Sequence, residues 1–392
     1  MPLYSFGSNG HSQLSLGHTT DVSIPTLCKF HLPPPPSSPP SSIIPGANHT
    51  LLLFPTGEAY SCGLNHCGQC GFADHSHPLG AFHRLANPPP PEGITNPSPE
   101  STQWGFITAG WEFTILATKD GKRVFACGTG AKGELGLGSG MLTTVPQLRD
   151  TPTPAIPGTT IHQIPNFPPE GTYVISLASS IMHVIAVLND GSCFGWGASR
   201  KHQLHHPKTV PIPVPKTTAI PRAISPFPTD PFPVAKAVCT QESTFLISSS
   251  GDRLAHLGLP TTKWKVYEQM PPSCLGYVDI QASWNGVYIL KDTGKIVAWG
   301  RSDNGRFPPK GLTGVKMMAV GSEHVIAVLE EDGREKLVAW GWGEHGNCGD
   351  VEGDRAVVPL REVEIPGGEG KKAKIRCIGA GCATSWVWVD WE

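Results

Sequence analysis

The sequence predicts an all-β fold, a seven-bladed β-propeller in which the N- and C-terminal strands pair to close the ring. Three observations predict it. A short strand that ends in glycine recurs seven times, and an apolar, β-prone segment precedes six of the copies. The 392 residues include 45 Gly and 40 Pro, which is typical of a chain with many turns. No long stretch keeps the 3.6-residue period of an amphipathic helix.

The glycine-ended strand is the first element of the repeat. It opens the chain as Tyr-Ser-Phe-Gly and returns in forms such as Phe-Ala-Cys-Gly and Val-Ala-Trp-Gly. A Gly-Gln-Leu-Gly-like turn follows most copies. The copies lie at 4–7, 60–63, 125–128, 194–197, 254–258, 297–300 and 338–341, and the one at 254–258 is the most divergent.

The apolar segment upstream is the second element. Each example has four to six β-prone residues, then a turn that contains glycine, then the glycine-ended strand, and this order predicts a β-hairpin. The segments lie at 47–58, 110–122, 180–192, 242–252, 284–295 and 322–334.

The two ends of the chain complete the count. The final segment, GCATSWVWVDWE (381–392), has the apolar element but no glycine strand after it, whereas the first strand has no apolar element before it. Joined, they make one more unit. Seven β units with overlapping ends predict a closed ring, and closure removes the exposed sheet edges.

Four Pro-, Ser- and Thr-rich stretches interrupt the repeats, and we expect solvated loops there. Such segments favour extended backbone and cannot build a core of their own. The whole chain, 1–392, is otherwise predicted to be a single propeller. The stretches lie at 31–45, 87–100, 150–170 and 207–233.

Composition excludes several functions. The net charge is −2, with no long basic run, so we expect no direct binding to DNA. No apolar run is long enough for a membrane helix. Eleven cysteines without a secretory signal favour reduced thiols in the cytosol and nucleus. Because nucleophile-elbow and phosphate-loop motifs are missing, we predict neither an enzyme nor a bound cofactor.

A Cys/His-rich stretch, CGLNHCGQCGFADHSH, has the spacing of a zinc knuckle between Cys67 and Cys70. Aligning the repeats gives a different interpretation. Cys62 falls at a core strand position that other repeats fill with Phe or Trp, and Cys70 falls at an apolar position that others fill with Leu. Both are predicted to be small hydrophobic core residues, so no metal is expected at this knuckle.

Residues just before each apolar segment are predicted to converge at the mouth of the central opening on one face. The recurrence of His there favours structural hydrogen bonding. Two interpretations stay open for the tryptophans: anchors for a partner, or rings packed into neighbouring blades. The predicted partner-binding residues are Trp111, Glu112, Phe113, His183, Glu242, Trp284, Asn285, Glu323 and His324.

The pattern resembles the regulator of chromosome condensation repeat, which implies a seven-bladed propeller. The most specific stretches are FGSNGHSQLSLGHTTDVSIPT and CGTGAKGELGLGSGMLTTVPQ. The founding member of that family is a nucleotide exchange factor for the GTPase Ran and has a basic tail that engages chromatin. This chain starts its first blade at Leu3 without such a tail. A Ran-like GTPase is therefore the alternative partner.

The propeller-only start of the chain is more similar to the compact fungal alpha-tubulin suppressor, or killer-toxin-insensitivity, type. That resemblance implies a heterodimer with a small CSL-type zinc protein, the electron carrier for diphthamide synthesis on elongation factor 2. It also implies a supporting role, indirectly through Elongator, in wobble-uridine modification of transfer RNA. On this interpretation the protein binds a partner and catalyses nothing itself.

Overall fold

The computed structural model describes residues 2–145, 155–206, 215–224, 231–259, 263–350 and 356–392. They form seven antiparallel sheets around a central channel, which confirms the predicted all-β, seven-bladed propeller. Apart from one 3₁₀ turn at Pro99–Thr102, the described residues contain no helix. None of their helical structure is long and apolar enough to cross a membrane.

Each blade runs from an inner strand at the channel to an outer strand at the rim. The chain begins with β1 (Leu3–Gly7) and β2 (Val22–Leu27), which belong to blade 7. Blade 1 contains β3 (Ser42–Pro45), β4 (His49–Leu53), β5 (Ala59–Gly63) and β6 (Leu79–Arg84). Blade 2 contains β7 (Trp104–Ala109), β8 (Phe113–Thr118), β9 (Val124–Gly128) and β10 (His162–Gln163). Blade 3 contains β11 (Val174–Ser179), β12 (His183–Leu188), β13 (Cys193–Ala198) and β14 (Thr217–Ile224).

The second half of the ring is less regular. Blade 4 contains β15 (Lys236–Cys239), β16 (Ser243–Ile247) and β17 (Leu254–Gly258). Blade 5 contains β18 (Tyr277–Ala282), β19 (Gly286–Lys291) and β20 (Ile296–Gly300). Blade 6 contains β21 (Val315–Val320), β22 (His324–Glu331), β23 (Arg334–Trp342) and β24 (Val357–Glu362). Within the described ranges, blades 4 and 5 have no fourth strand.

Blade 7 closes the ring from both ends of the chain. Its inner strands are β25 (Ala373–Ala380) and β26 (Thr384–Trp391), and its strand order is β2-β1-β26-β25. β26 pairs with β1 from Leu3 opposite Trp388 to Gly7 opposite Thr384. The predicted pairing of the terminal strands is therefore confirmed.

Steric constraints explain why each third strand ends in glycine. At Gly128 the backbone has φ +107°, and an added Cβ would lie 2.2 Å from the carbonyl oxygen of Glu112. This close approach lets the next amide, that of Thr129, donate to the same carbonyl at 2.8 Å. Only glycine combines this backbone conformation with the missing side chain. The motif therefore fixes the mouth turn of each blade against its third strand.

The glutamine of the Gly-Gln-Leu-Gly turn and the residues around it hold the turn to the core. The side-chain oxygen of Gln69 accepts the amide of Cys67 at 2.9 Å, and Gln203 accepts that of Lys201 at the same distance.

Cys62 and Cys70 are fully buried, as predicted. They behave as small apolar core residues at positions that the repeat reserves for Phe, Trp or Leu.

Three of the four predicted loop stretches contain blade strands, so their predicted extent was wrong. The stretch 31–45 includes β3, 150–170 includes β10, and 207–233 includes β14. Residues 150–154, 207–214 and 225–230 lie outside the described residues. Proline misled the prediction, because an edge strand can hold a proline on its unpaired side. Pro221 in the outer strand β14 is an example.

Candidate protein-interaction site at the mouth of the propeller

The channel at the centre of the ring has a volume of about 610 Å³. Inner strands of all seven blades line it, and small residues such as Gly46, Ala109 and Ser179 predominate. Each inner strand reaches the second strand of its blade through a tight turn, and these seven turns surround one opening. We call this surface the mouth face: residues 46–48, 110–112, 180–182, 240–242, 283–285, 321–323 and 381–383.

Backbone hydrogen bonds join neighbouring turns of the mouth face. The amide of Trp111 donates to Ile181 at 3.1 Å, and that of Ser322 donates to Gly381 at 2.9 Å. Blades 4 and 5 are joined likewise, from Gln241 to Trp284 at 2.8 Å. Because the turns are tied to one another and to the third strands, their side chains project from a fixed frame.

Trp111 and Trp284 meet above the opening. Trp111 belongs to blade 2 and Trp284 to blade 5, with two blades between them on one side and three on the other. Their ring centroids are nevertheless 6.2 Å apart, at an interplanar angle of 40°. Trp111 is 41% exposed, and Trp284 is half-buried. The rings thus bridge the channel mouth instead of packing into neighbouring blades.

Three buried histidines latch neighbouring blades together. His49 Nε2 of blade 1 lies 3.0 Å from Thr114 Oγ1 of blade 2, and that hydroxyl donates to the carbonyl of Gln69 at 2.8 Å. Since the hydroxyl proton is committed, Nε2 must carry a proton and donate it to the threonine oxygen. The other two latches pair His183 with Thr244 at 3.1 Å and His324 with Ser385 at 2.9 Å.

Burial sets the protonation state of these latches. It lowers the pKa of His49 and His324 from 6.5 to about 4 and that of His183 to about 3. Nδ1 of His49 and of His183 has no hydrogen-bond partner among the residues described, so a second proton would be buried without a partner. The structural role favoured for the histidines is consistent with this geometry.

Burial also corrects three of the predicted partner contacts. Phe113, His183 and His324 are at most 1% exposed. They begin second strands, whose side chains point between blades, and no partner can touch them in this conformation. The remaining six predicted residues keep solvent exposure on the mouth face.

The acidic residues of the mouth face are paired. Glu242 lies 3.1 Å from Lys201, and both side chains are well exposed. Glu323 is different: its carboxylate lies 3.0 Å from Arg301 and 2.7 Å from Arg306, whose side chain is 3% exposed. Glu323 therefore neutralises a buried guanidinium between blades 5 and 6. The backbone carbonyl of Asn285 accepts the amide of Arg301 at 2.8 Å, so Asn285 holds this mouth turn to the segment after the third strand of blade 5.

Glu112 meets two residues of blade 1. Its carboxylate lies 3.4 Å from His66 Nε2. One ligand atom each from His66, Cys67 and Glu112 lies within 4.8 Å of the other two. Partial burial, with the negative charge of Glu112, raises the pKa of Cys67 to about 11. Of the cysteines in the Cys/His-rich stretch, Cys67 belongs to this group, whereas the buried Cys62 and Cys70 take no part in it.

Met182 occupies one of the positions predicted to lie at the mouth, although it is not among the nine residues predicted to bind a partner. It is 44% exposed, in the turn whose Ile181 carbonyl accepts the Trp111 amide. Its position just before the latch residue His183 is the signal that marks it as a mouth-face residue. Trp111, Met182 and Trp284 are thus large apolar side chains that keep solvent exposure in the turns of the mouth face.

Comparison with known proteins shows a repeat match and a shared fold. The regulator of chromosome condensation (RCC1) repeat matches residues 46–69. Prp20p of Saccharomyces cerevisiae superposes over 100% of this chain and 92% of its own, with a TM-score of 0.73 at 18% identity. Human WBSCR16 superposes over all of both chains, with a TM-score of 0.70 at 14% identity. The chain thus carries a match to the RCC1 repeat at residues 46–69 and shares the fold of these two propellers.

Two relatives match nearly the whole chain in sequence. An RCC1 repeat-containing protein of Schizosaccharomyces pombe is 28% identical over 99% of both chains. The secretion-regulating guanine nucleotide exchange factor of Mus musculus is 25% identical over 97% of this chain and 82% of its own. This chain is therefore similar in sequence, along nearly its whole length, to an RCC1 repeat-containing protein and to a guanine nucleotide exchange factor.

Proposed function

We propose that the protein is a non-catalytic propeller that binds a partner protein through its mouth face. The observation that carries this proposal is the Trp111–Trp284 pair: two large aromatic rings held above the channel, one of them 41% exposed. Tryptophan is a favoured anchor of protein interfaces, and a fixed frame lowers the entropy lost on binding. The exposed thioether of Met182 adds an adaptable apolar contact.

The proposed partner is the small CSL-type zinc electron carrier of diphthamide synthesis, bound as a heterodimer in the cytosol and nucleus. Through it, the protein would support Elongator-dependent modification of wobble uridine in transfer RNA. The resemblance of the stretch Tyr4–Gly10 to the fungal alpha-tubulin suppressor type supports this choice.

A calorimetric titration with the purified zinc protein tests the proposal. We expect one partner per propeller, and about 30-fold weaker binding for Trp111→Ala or Trp284→Ala, the loss typical of a central aromatic anchor. Tyr173→Ala is the matched control, because Tyr173 is 42% exposed at the opposite end of the inner strand β11. Absence of a complex, or equal binding by the Trp variants, would reject the proposal.

A second candidate is guanine-nucleotide exchange on a Ran-like small GTPase. The similarity to the mouse exchange factor over 97% of this chain favours it. The test is release of a fluorescent GDP analogue from the GTPase with and without the propeller. If the wild-type propeller accelerated GDP release and Trp111→Ala did not, the protein would be an exchange factor. The proposal of a zinc-protein partner would then be rejected.

A further inference from the structure

A group of side chains at the edge of the mouth face, which includes Glu112, points to a metal site. His66 and Cys67 lie in the loop after β5 of blade 1, and Glu112 lies in the turn before β8 of blade 2. One ligand atom from each lies within 4.8 Å of the others. We propose that these three residues bind one Zn²⁺ ion and so cross-link blades 1 and 2.

The donor set selects the metal. An imidazole nitrogen, a thiolate sulfur and a carboxylate oxygen are the three ligand types that zinc uses in proteins, whereas Mg²⁺ and Ca²⁺ prefer oxygen alone. Two of the ligands are anionic when bound, so a divalent cation is neutralised at the site. In the structure the His66 Nε2 faces Glu112 at 3.4 Å, and the ion takes the place between them.

The ligand backbones are already fixed. The Cys67 amide donates to Gln69 at 2.9 Å, and the carbonyl of Glu112 accepts the Thr129 amide at 2.8 Å. Only side-chain torsions remain to be ordered when the ion binds, which lowers the entropic cost.

Three protein ligands leave the fourth tetrahedral position of zinc open. The side chains of His66 and Glu112 are 49% and 38% exposed, so this position faces solvent. It can hold a water molecule or a ligand from a protein docked on the mouth face. The site does not depend on which partner the mouth face binds.

The test uses full-length protein freed of metal with a chelator and titrated with Zn²⁺ in a calorimeter. We expect one ion per chain, with affinity at least about tenfold weaker in His66→Ala, Cys67→Ser and Glu112→Gln. Co²⁺ as a spectroscopic probe should give a sulfur-to-metal charge-transfer band that Cys67→Ser abolishes. His75→Ala and Cys382→Ser are matched controls outside the site and should bind as wild type does.

Three results would overturn the proposal. One is absence of saturable Zn²⁺ binding by the wild-type protein. Another is undiminished binding by the triple variant, provided that its circular dichroism shows the propeller intact. The third is a cobalt charge-transfer band that survives in Cys67→Ser. Thermal unfolding adds a readout, since a ligand of the native state alone should raise the Tm of wild type and leave that of the triple variant unchanged.

Discussion

Blades 5 and 6 are neighbours with the same repeat motif and different outer edges. Their third strands read Val-Ala-Trp-Gly at 297–300 and 338–341. In blade 6 the outer strand β24 pairs with β23, so that Val338 lies opposite Glu362 and is 4% exposed. In blade 5 no described strand covers β20, and Val297 is 41% exposed.

The segment after the motif causes this difference. Residues 301–314 separate β20 from β21 and form an ion-paired loop, in which Arg301 and Arg306 both contact Asp303. The segment after β23 is longer and returns along the blade as β24. The repeat thus encodes the central hairpin of a blade, whereas the outer strand depends on the length and sequence of the segment after that hairpin.

The comparison implies that a blade tolerates a missing outer strand but not a missing inner one. Deleting residues 382–392 removes β26 with Trp386 and Trp388, both fully buried. Each such ring contributes roughly 1.5–3 kcal/mol by burial, and two open edges would remain. We expect the truncated chain to lose cooperative unfolding, measured by calorimetry, and to aggregate, measured by light scattering. A chain that lacks Glu392 alone is the control, and a monomeric, folded product of the larger deletion would contradict ring closure.

One substitution at the same repeat position separates the two blades. Val338→Asp places a carboxylate in the core and should lower the free energy of unfolding by about 3 kcal/mol or more. Val297→Asp places it in solvent and should cost no more than about 1 kcal/mol, the span of strand preferences. Urea unfolding of both variants gives the values. Equal losses would mean that the outer edge of blade 5 is covered in solution.

The histidine latch of blade 6 has no counterpart in blade 5, which has Gly286 at that position. The folded-state pKa of His324 is lowered from 6.5 to about 4, so the unfolded chain binds a proton first as pH falls. The contribution of neutral His324 to the free energy of unfolding is therefore complete above pH 6.5. It is lost between pH 6.5 and 4, by about 1.4 kcal/mol per pH unit. His324→Phe, which copies Phe113 of blade 2, should reduce the pH slope of unfolding by that amount. If the variant showed the same pH slope as the wild type between pH 6 and 5, the assigned role of His324 would be wrong.

The two core tryptophans differ by one hydrogen bond. Trp340 Nε1 donates to the carbonyl of Arg306 at 3.0 Å, whereas Trp299 Nε1 has no partner within the described part of the chain. Replacing each by Phe removes similar apolar area, so Trp340→Phe should cost about 1 kcal/mol more than Trp299→Phe. Chemical denaturation measures both. A larger loss of stability in Trp299→Phe than in Trp340→Phe would contradict the assignment of the hydrogen bond to Trp340.

The sequence predicted the elements that repeat. The paired second and third strands, the closing strand and the core positions of Cys62 and Cys70 follow from periodicity and alignment of the repeats. Inner strands such as β15 (Lys236–Cys239) are short and weakly patterned, and outer strands such as β14 contain proline, so neither gave a clear signal.

The site was predicted less completely, because contacts across the ring have no signature in one sequence. Nothing local shows that Trp111 meets Trp284, or that Glu112 reaches His66 on another blade. Recurrence did identify the histidine positions, but it could not separate a mouth-facing side chain from one that points between blades. That separation depends on strand register, which places Trp111 outside and Phe113 inside.

The pairing of β1 with β26 also bears on the order in which the protein folds. Tyr4 lies opposite Val387, whereas the two strands of an ordinary blade hairpin are separated by only a few residues. In an unfolded chain, closing so long a loop costs roughly 3 kcal/mol more entropy than closing a hairpin. Once blades 1–6 are stacked, the ends are already near each other and most of that cost is gone. Blade 7 should therefore form last on folding, and it should be the first to open on heating.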